Sequence, residues 1–348
     1  MTEISSGGSI RNRLISIYGL LAAVNFGAWA WAIIAFHHKP ILLGTAVLAY
    51  TFGLRHAVDA DHIAAIDNVT RKLMQDGKRP VSVGFYFAFG HSTIVILAAL
   101  IAYGMAAAAG KHFLFLKDIG GVISTSVSAL FLIVIALINL LILRGVHRAF
   151  QQAAMGSACN DQTTDVLLGG GILARLLRPL FKMLSHSWQM FPIGFLFGLG
   201  FETATEVALL GISASAATKG LSLAEVMVLP ILFTAGMTLV DTTDGVLMLG
   251  AYGWAFVKPI RKLYYNLTIT FVSVLVALIV GGIEVIGLIK DQFSLSGGLW
   301  DLVGIVNDNF GTFGFVIIGV FVLSWIVSMI IYNIKGFDRL GPPTPMVE

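Results

Sequence analysis

Eight apolar runs, each about as long as a bilayer demands, decide the solvent in which most of this 348-residue chain folds. A lipid-spanning helix needs about 20 mostly apolar residues, because lipid offers an open backbone no hydrogen-bond partner. The runs fall at roughly 14–36, 42–66, 83–106, 122–143, 189–212, 225–250, 267–289 and 312–334. Charged residues make up 12% of the chain and hydrophobic ones 57%. Soluble proteins carry about 25% charged residues, so this chain has too few to cover its apolar surface in water. The first run follows Arg11 and Arg13 and contains Ala28-Trp29-Ala30, which resembles a signal-peptide cleavage site. Its apolar stretch continues to Phe36, about twice the length of a signal core, and is read as an uncleaved span. The expected fold class is all-α: a polytopic membrane helical bundle with eight transmembrane helices, in one domain over 1–348.

The basic residues orient that bundle. With a cytoplasmic N-terminus, sixteen Lys and Arg residues fall on inner segments (among them Arg71, Lys72, Lys78 and Arg79) and five on outer ones: Lys39, Lys111, Lys117, Lys219 and Lys290. This excess satisfies the positive-inside rule and predicts both termini in the cytoplasm, in the cytoplasmic (inner) membrane of a cell. The net charge of +3 is small and dispersed, which gives no footprint for nucleic acid. The longest connection, 144–188, is expected inside. Its part from Ile172 to Leu184 reads either as a basic amphipathic helix on the inner leaflet or as a flexible linker. The outer stretch from Asp291 to Phe310 is expected at the membrane interface.

Ionisable residues within spans are costly, by roughly 2.5–3.5 kcal/mol for a charge at the bilayer centre, and mark function by default. Here they concentrate in four runs. The second holds Arg55, His56, Asp59, Asp61, His62 and Asp67; the third holds His91; the fifth holds Glu202 and Glu206; the sixth holds Asp241 and Asp244. The seventh offers Glu284 near its outer end. On a continuous helix, His56, Asp59 and His62 would share a face, as would Glu202 with Glu206 and Asp241 with Asp244. Asp61 points elsewhere on that helix, toward Arg55 or a supporting role. Asp67 is expected to cap the helix end or meet water. Asn25, lone in the first run, either orders a ligand or packs, and Met237 and Met248 read as core fillers.

Six of these carboxylates (Asp59, Asp61, Glu202, Glu206, Asp241 and Asp244) face Arg55 alone, so an excess of negative charge must be neutralised by protons or by a bound cation. Imidazole suits nickel, copper, zinc and iron, whereas an all-oxygen site suits magnesium or calcium. Cys159 is the single cysteine, which excludes a thiolate cage within one chain. No H-E-x-x-H and no P-loop occurs, so neither an intramembrane zinc protease nor nucleotide hydrolysis within the chain is expected.

At these residues the sequence resembles the nickel/cobalt transporter family, single-chain permeases with eight spans. Four elements carry the resemblance: RHAVDADHI with its His-x4-Asp-His pattern at His56, Asp61 and His62; Gly90-His91-Ser92-Thr93; LGFETATEVALL around Glu202, Thr203 and Glu206; and GMTLVDTTDG around Asp241 and Asp244. The resemblance implies uptake of nickel or cobalt at trace concentration, with the second-run His and Asp residues essential. One departure is Glu202, where the family has Asp.

The expected metal ligands are therefore His56, Asp59, Asp61, His62 and His91. Asn25, Arg55, Glu202, Thr203, Glu206, Asp241 and Asp244 are expected to support them or to guide the ion. The partners implied are the nickel or cobalt ion, as transported substrate, and the lipid bilayer. No permanently bound cofactor, enzymatic activity or obligatory protein partner is expected. A proton-coupled carrier of another solute and efflux of metal through the same site are the alternatives. Gly194 and Gly198, spaced as GxxxG, predict a close helix–helix approach.

Overall fold

A computed structural model describes residues 7–106, 111–154, 184–200, 204–255 and 259–334. The described residues are helical throughout, with no strand: α1 (Gly7–Phe36), α2 (Pro40–His56), α3 (Ala60–Gln75), α4 (Val83–Ala106), α5 (Lys111–Ala154), α6 (Met190–Phe197), α7 (Ala204–Thr218), α8 (Leu223–Ala255), α9 (Pro259–Gln292), α10 (Leu299–Asp308) and α11 (Phe310–Ile334). Six of them, α1, α4, α5, α8, α9 and α11, are long and apolar enough to cross a membrane. A seventh crossing arises if α2 and α3, bent by 51° at a short break, count as one. The chain is thus a multi-pass helical membrane protein.

The break at 57–59 corrects the expectation of a continuous helix through 42–66. Asp59 adopts an extended backbone (φ −65°, ψ 146°) at the N-cap of α3, and Asp61 sits in its first turn. Aspartate favours both positions, because the first amides of a helix lack partners and form its positive end. The hydropathy of the run does not register this local preference. The expected run 189–212 is likewise not one long helix among the described residues. It falls on α6, of eight residues, and α7, of fifteen, on either side of 201–203.

The two ends of the bundle are distinguished by their tethers. At one end Arg13 donates to the Arg79 carbonyl (3.3 Å), Lys72 to the Leu184 carbonyl and Lys78 to the Ser185 carbonyl. At the other end Lys39 pairs with Glu225 at 2.6 Å. Helix α3 is buried over almost its whole length, polar residues included. Asp67 does not meet water: it is fully buried and lies 3.2 Å from the Arg71 guanidinium, one helical turn on. Arg71 and Lys72, expected on an inner segment, are also buried. Their stems pack among core residues while their heads find carboxylates and carbonyls.

Close packing of α6 on α4 bears out the glycine reading. A Cβ added at Gly194 would run into the Phe87 carbonyl, and one at Gly198 would lie 2.9 Å from the His91 carbonyl. Residues 172–183 of the inner connection lie outside the described residues. The outer stretch contains α10, whose Leu299, Leu302 and Ile305 are exposed on one stripe.

Candidate metal centre

Five helices deliver side chains to one buried point. His56 is the last residue of α2, and the bend carries the first turn of α3, with His62, back against it. His91 comes from α4, Glu206 from the first turn of α7, and Asp241 from α8. The three imidazoles are at most 3% exposed. Their ring centroids stand 4.7, 4.8 and 4.9 Å apart, and one nitrogen from each ring lies within 4.8 Å of the others.

One pair of these nitrogens stands at the spacing of two ligands on a single ion. His56 Nε2 and His91 Nε2 are 2.9 Å apart. Two nitrogens bound at a right angle to an ion about 2.0–2.1 Å away stand about 2.9 Å from each other. Glu206 Oε1 adds a carboxylate oxygen 2.9 Å from His91 Nε2 and 3.6 Å from His56 Nε2. The other faces of two rings are fixed by carboxylates. Asp59 Oδ2 stands 2.8 Å from His56 Nδ1, and both Asp241 oxygens lie 3.3–3.4 Å from His62 Nδ1. A proton held on Nδ1 by such a carboxylate leaves the Nε2 lone pair for a cation. His62 Nε2 is buried and has no hydrogen-bond partner. The edge of Phe87 packs on His62 and Phe233 lies against His56, giving the site an apolar backing that strengthens electrostatic attraction there.

A cavity of about 1030 Å³ reaches this point from one end of the bundle. His56, His91, Asp59, Asp61 and Glu206 line it, as do Asp291, Gln292 and Asn307 at the ends of α9 and α10. Arg55 lines it too, and a Cβ on Gly311 would meet both its guanidinium and the Asp59 carboxylate.

Of the expected ligands, His56, His62 and His91 therefore meet, with Asp59 against His56. Asp61 faces the cavity beside them. Glu206, expected to support, reaches the rings directly, while Asp241 backs His62. Asp244 is further along α8, with a buried Oδ2 that no hydrogen bond meets. Asn25 lies elsewhere, accepting from Tyr50 (2.9 Å) and donating to the Leu21 carbonyl (2.8 Å) between α1, α2 and α8. Glu202 and Thr203 lie outside the described residues. The sequence reading missed Thr205, 3.5 Å from His56 Nδ1, and the aromatic cover. A threonine within a motif quoted for its acids was the available signal.

Fold and site together define a multi-pass membrane protein with a buried imidazole–carboxylate centre suited to a divalent transition metal. The chain belongs to the NicO family of high-affinity nickel-transport proteins, whose family model matches residues 42–331. It is 54% identical to the high-affinity nickel transport protein of Cupriavidus necator, over 97% of this chain and 96% of that one. The nickel transporter NixA of Staphylococcus aureus is 43% identical over 93% and 95% of the two chains. The cobalt transport protein NhlF of Rhodococcus rhodochrous is 38% identical over 93% and 94%. No solved structure matches this chain.

Proposed function

We propose that this chain is a secondary transporter that takes up Ni²⁺, Co²⁺ or both across the cytoplasmic membrane by alternating access around His56, His62 and His91. The observation that carries this reading is the convergence of three buried imidazoles, each with a nitrogen within 4.8 Å of the others, inside a multi-pass helical bundle. Relatives named for nickel and for cobalt transport agree with it. The ion would exchange its water shell for imidazole nitrogens and the Glu206 carboxylate. Asp59 and Asp241 would hold the rings in the ligating tautomer. The cavity runs from this centre to the end of the bundle that carries Asp291, and the tethered end with Arg13, Arg79 and Lys78 is the more basic. By the positive-inside rule the cavity then opens outward, as uptake requires of a state ready to receive its ion.

The test is accumulation of radiolabelled nickel at nanomolar concentration in uptake-deficient cells expressing wild type or His62→Ala. Uptake by wild type, suppressed by excess cobalt and abolished in the membrane-inserted variant, is the expected result. Retained uptake in His62→Ala would remove the site assignment. Lowered cell metal with wild type would point to efflux, and indifference to both metals would point to a different solute.

A further inference from the structure

Helices α5 and α9 form a groove that the metal centre does not account for. Gly121, Ser124, Thr125 and Ser128 line the cavity from α5, and Glu284, Gly287, Leu288 and Asp291 line it from α9. Each set follows the i, i+3, i+4, i+7 spacing of a single helix face. The two faces thus form a walled channel of about two helical turns, about 10 Å at 1.5 Å per residue. Its floor is closed one turn below Glu284. There Gly281 lies against α5, where a Cβ would come within 3.2–3.3 Å of Leu132 and the Ala129 carbonyl. Below it Val280, Ala277 and Val276 are buried.

Glu284 stands at that floor. Its side chain is 5% exposed, and Ser128 donates a 2.7 Å hydrogen bond to Oε1. A carboxylate held inside an apolar span is costly, and Glu284 lies within the candidate span Leu267–Gln292. The same cavity is lined on its far wall by His56, His91 and Glu206.

Resting on the reading of this chain as a nickel/cobalt uptake carrier, we propose that Glu284, positioned by Ser128, is an ion-path residue that draws a hydrated divalent cation down the α5–α9 groove toward the histidines. A groove with low-dielectric walls focuses the field of such a carboxylate, which raises the local cation concentration and the association rate. The ion keeps its water here, since one carboxylate and one hydroxyl offer too few ligands to replace a hydration shell. Glu284 therefore sets how fast the centre fills, while the histidines set how tightly it holds.

That division gives the test. Glu284→Gln preserves shape and the Ser128 hydrogen bond but removes the charge. Initial rates of nickel uptake, normalised to membrane-inserted protein, should show KM raised about tenfold with the maximal rate within about twofold. Equilibrium nickel binding to the purified full chain should stay within about twofold of wild type. Glu284→Asp should recover most of the loss, and added salt should narrow the gap between wild type and Glu284→Gln. Ser128→Ala, which leaves the charge but frees its position, should raise KM about threefold and carries the test if Glu284→Gln fails to insert. Unchanged KM in inserted variants overturns the proposal. So does a loss of binding as large as the rise in KM, which would make Glu284 part of the binding centre itself. Failure of wild type to take up nickel would instead overturn the reading on which the proposal rests.

Discussion

His56 and His62 lie six residues apart yet have their Nδ1 atoms held by different means. Asp59, three residues away in sequence, stands against His56 Nδ1, whereas His62 depends on Asp241 from another helix. Loss of an outer carboxylate of this kind typically costs 10–100-fold in metal affinity. Asp241→Asn should therefore weaken equilibrium nickel binding about 10- to 100-fold while the protein still inserts, because the amide matches the carboxylate in size but no longer fixes the proton on Nδ1. Isothermal titration of the purified chain checks it, and unchanged affinity would remove Asp241 from the support of His62. The imidazoles themselves were legible in the sequence, since lipid excludes such side chains unless they serve a purpose. Which carboxylate meets which ring was not. His91 meets His56 across 35 positions and Asp241 meets His62 across 179, contacts that depend on which helices pack together. The burial of Glu284 was hidden for a related reason. Hydropathy placed it near the end of its span, but α9 continues to Gln292, and the wall of α5 buries the carboxylate.

The bend between α2 and α3 shows what periodicity can and cannot supply at the level of elements. Three-residue spacing on a straight helix places His56 and His62 on a broad common face, but the structure brings them together by turning the chain at Asp59. The N-cap preference of aspartate was present in the sequence, masked by the apolar residues around it. The glycine spacing was the more faithful signal, because a missing Cβ has a direct steric consequence. Gly90 is the counterpart of Gly194 across the α4–α6 contact: a Cβ there would run into the Phe191 carbonyl. Gly90→Val should force α4 away from α6, an overpacking strain of about 1–3 kcal/mol, and displace the adjacent His91. Nickel uptake per inserted molecule is expected to fall at least about tenfold. Gly27→Val on α1, where nothing lies within 4 Å of the added Cβ, should transport normally. Equal uptake by both variants would mean that the α4–α6 contact does not position the site.

At the scale of the whole molecule the two ends of the bundle are built differently, and that difference bears on the number of crossings. The end opposite the cavity mouth is filled by a buried polar network. Arg71 donates to Asp67, to Asn68 Oδ1 and to the Ile269 carbonyl of α9, and Asn139 of α5 donates to Asn68 Oδ1 at 2.7 Å. Whether α6 and α7 together cross from that end to the other follows from how they lie on α4. Gly194 meets Phe87, Gly198 meets His91, Glu206 meets His91, and Leu210 joins Ala98 and Ala99. The contacts on α4 thus move from Phe87, Gly90 and His91 beside α6 to Ala98 and Ala99 beside the later part of α7, which supports one continuous passage. At about 1.5 Å per residue the two helices measure about 12 and 22 Å, and only their sum matches a hydrocarbon core of about 30 Å. One passage would make eight crossings with both termini on the same side, which the positive-inside rule expects to be the cytoplasmic one. Single cysteines in a Cys159→Ser background decide the matter. His186→Cys, before α6, should react with an impermeant thiol reagent only after cells are permeabilised. Lys219→Cys, after α7, and Asp291→Cys, at the cavity mouth, should react in intact cells; all three positions are exposed. If His186→Cys and Lys219→Cys react from the same side, α6 and α7 turn back within the membrane. The crossings then number seven, and the termini lie on opposite faces.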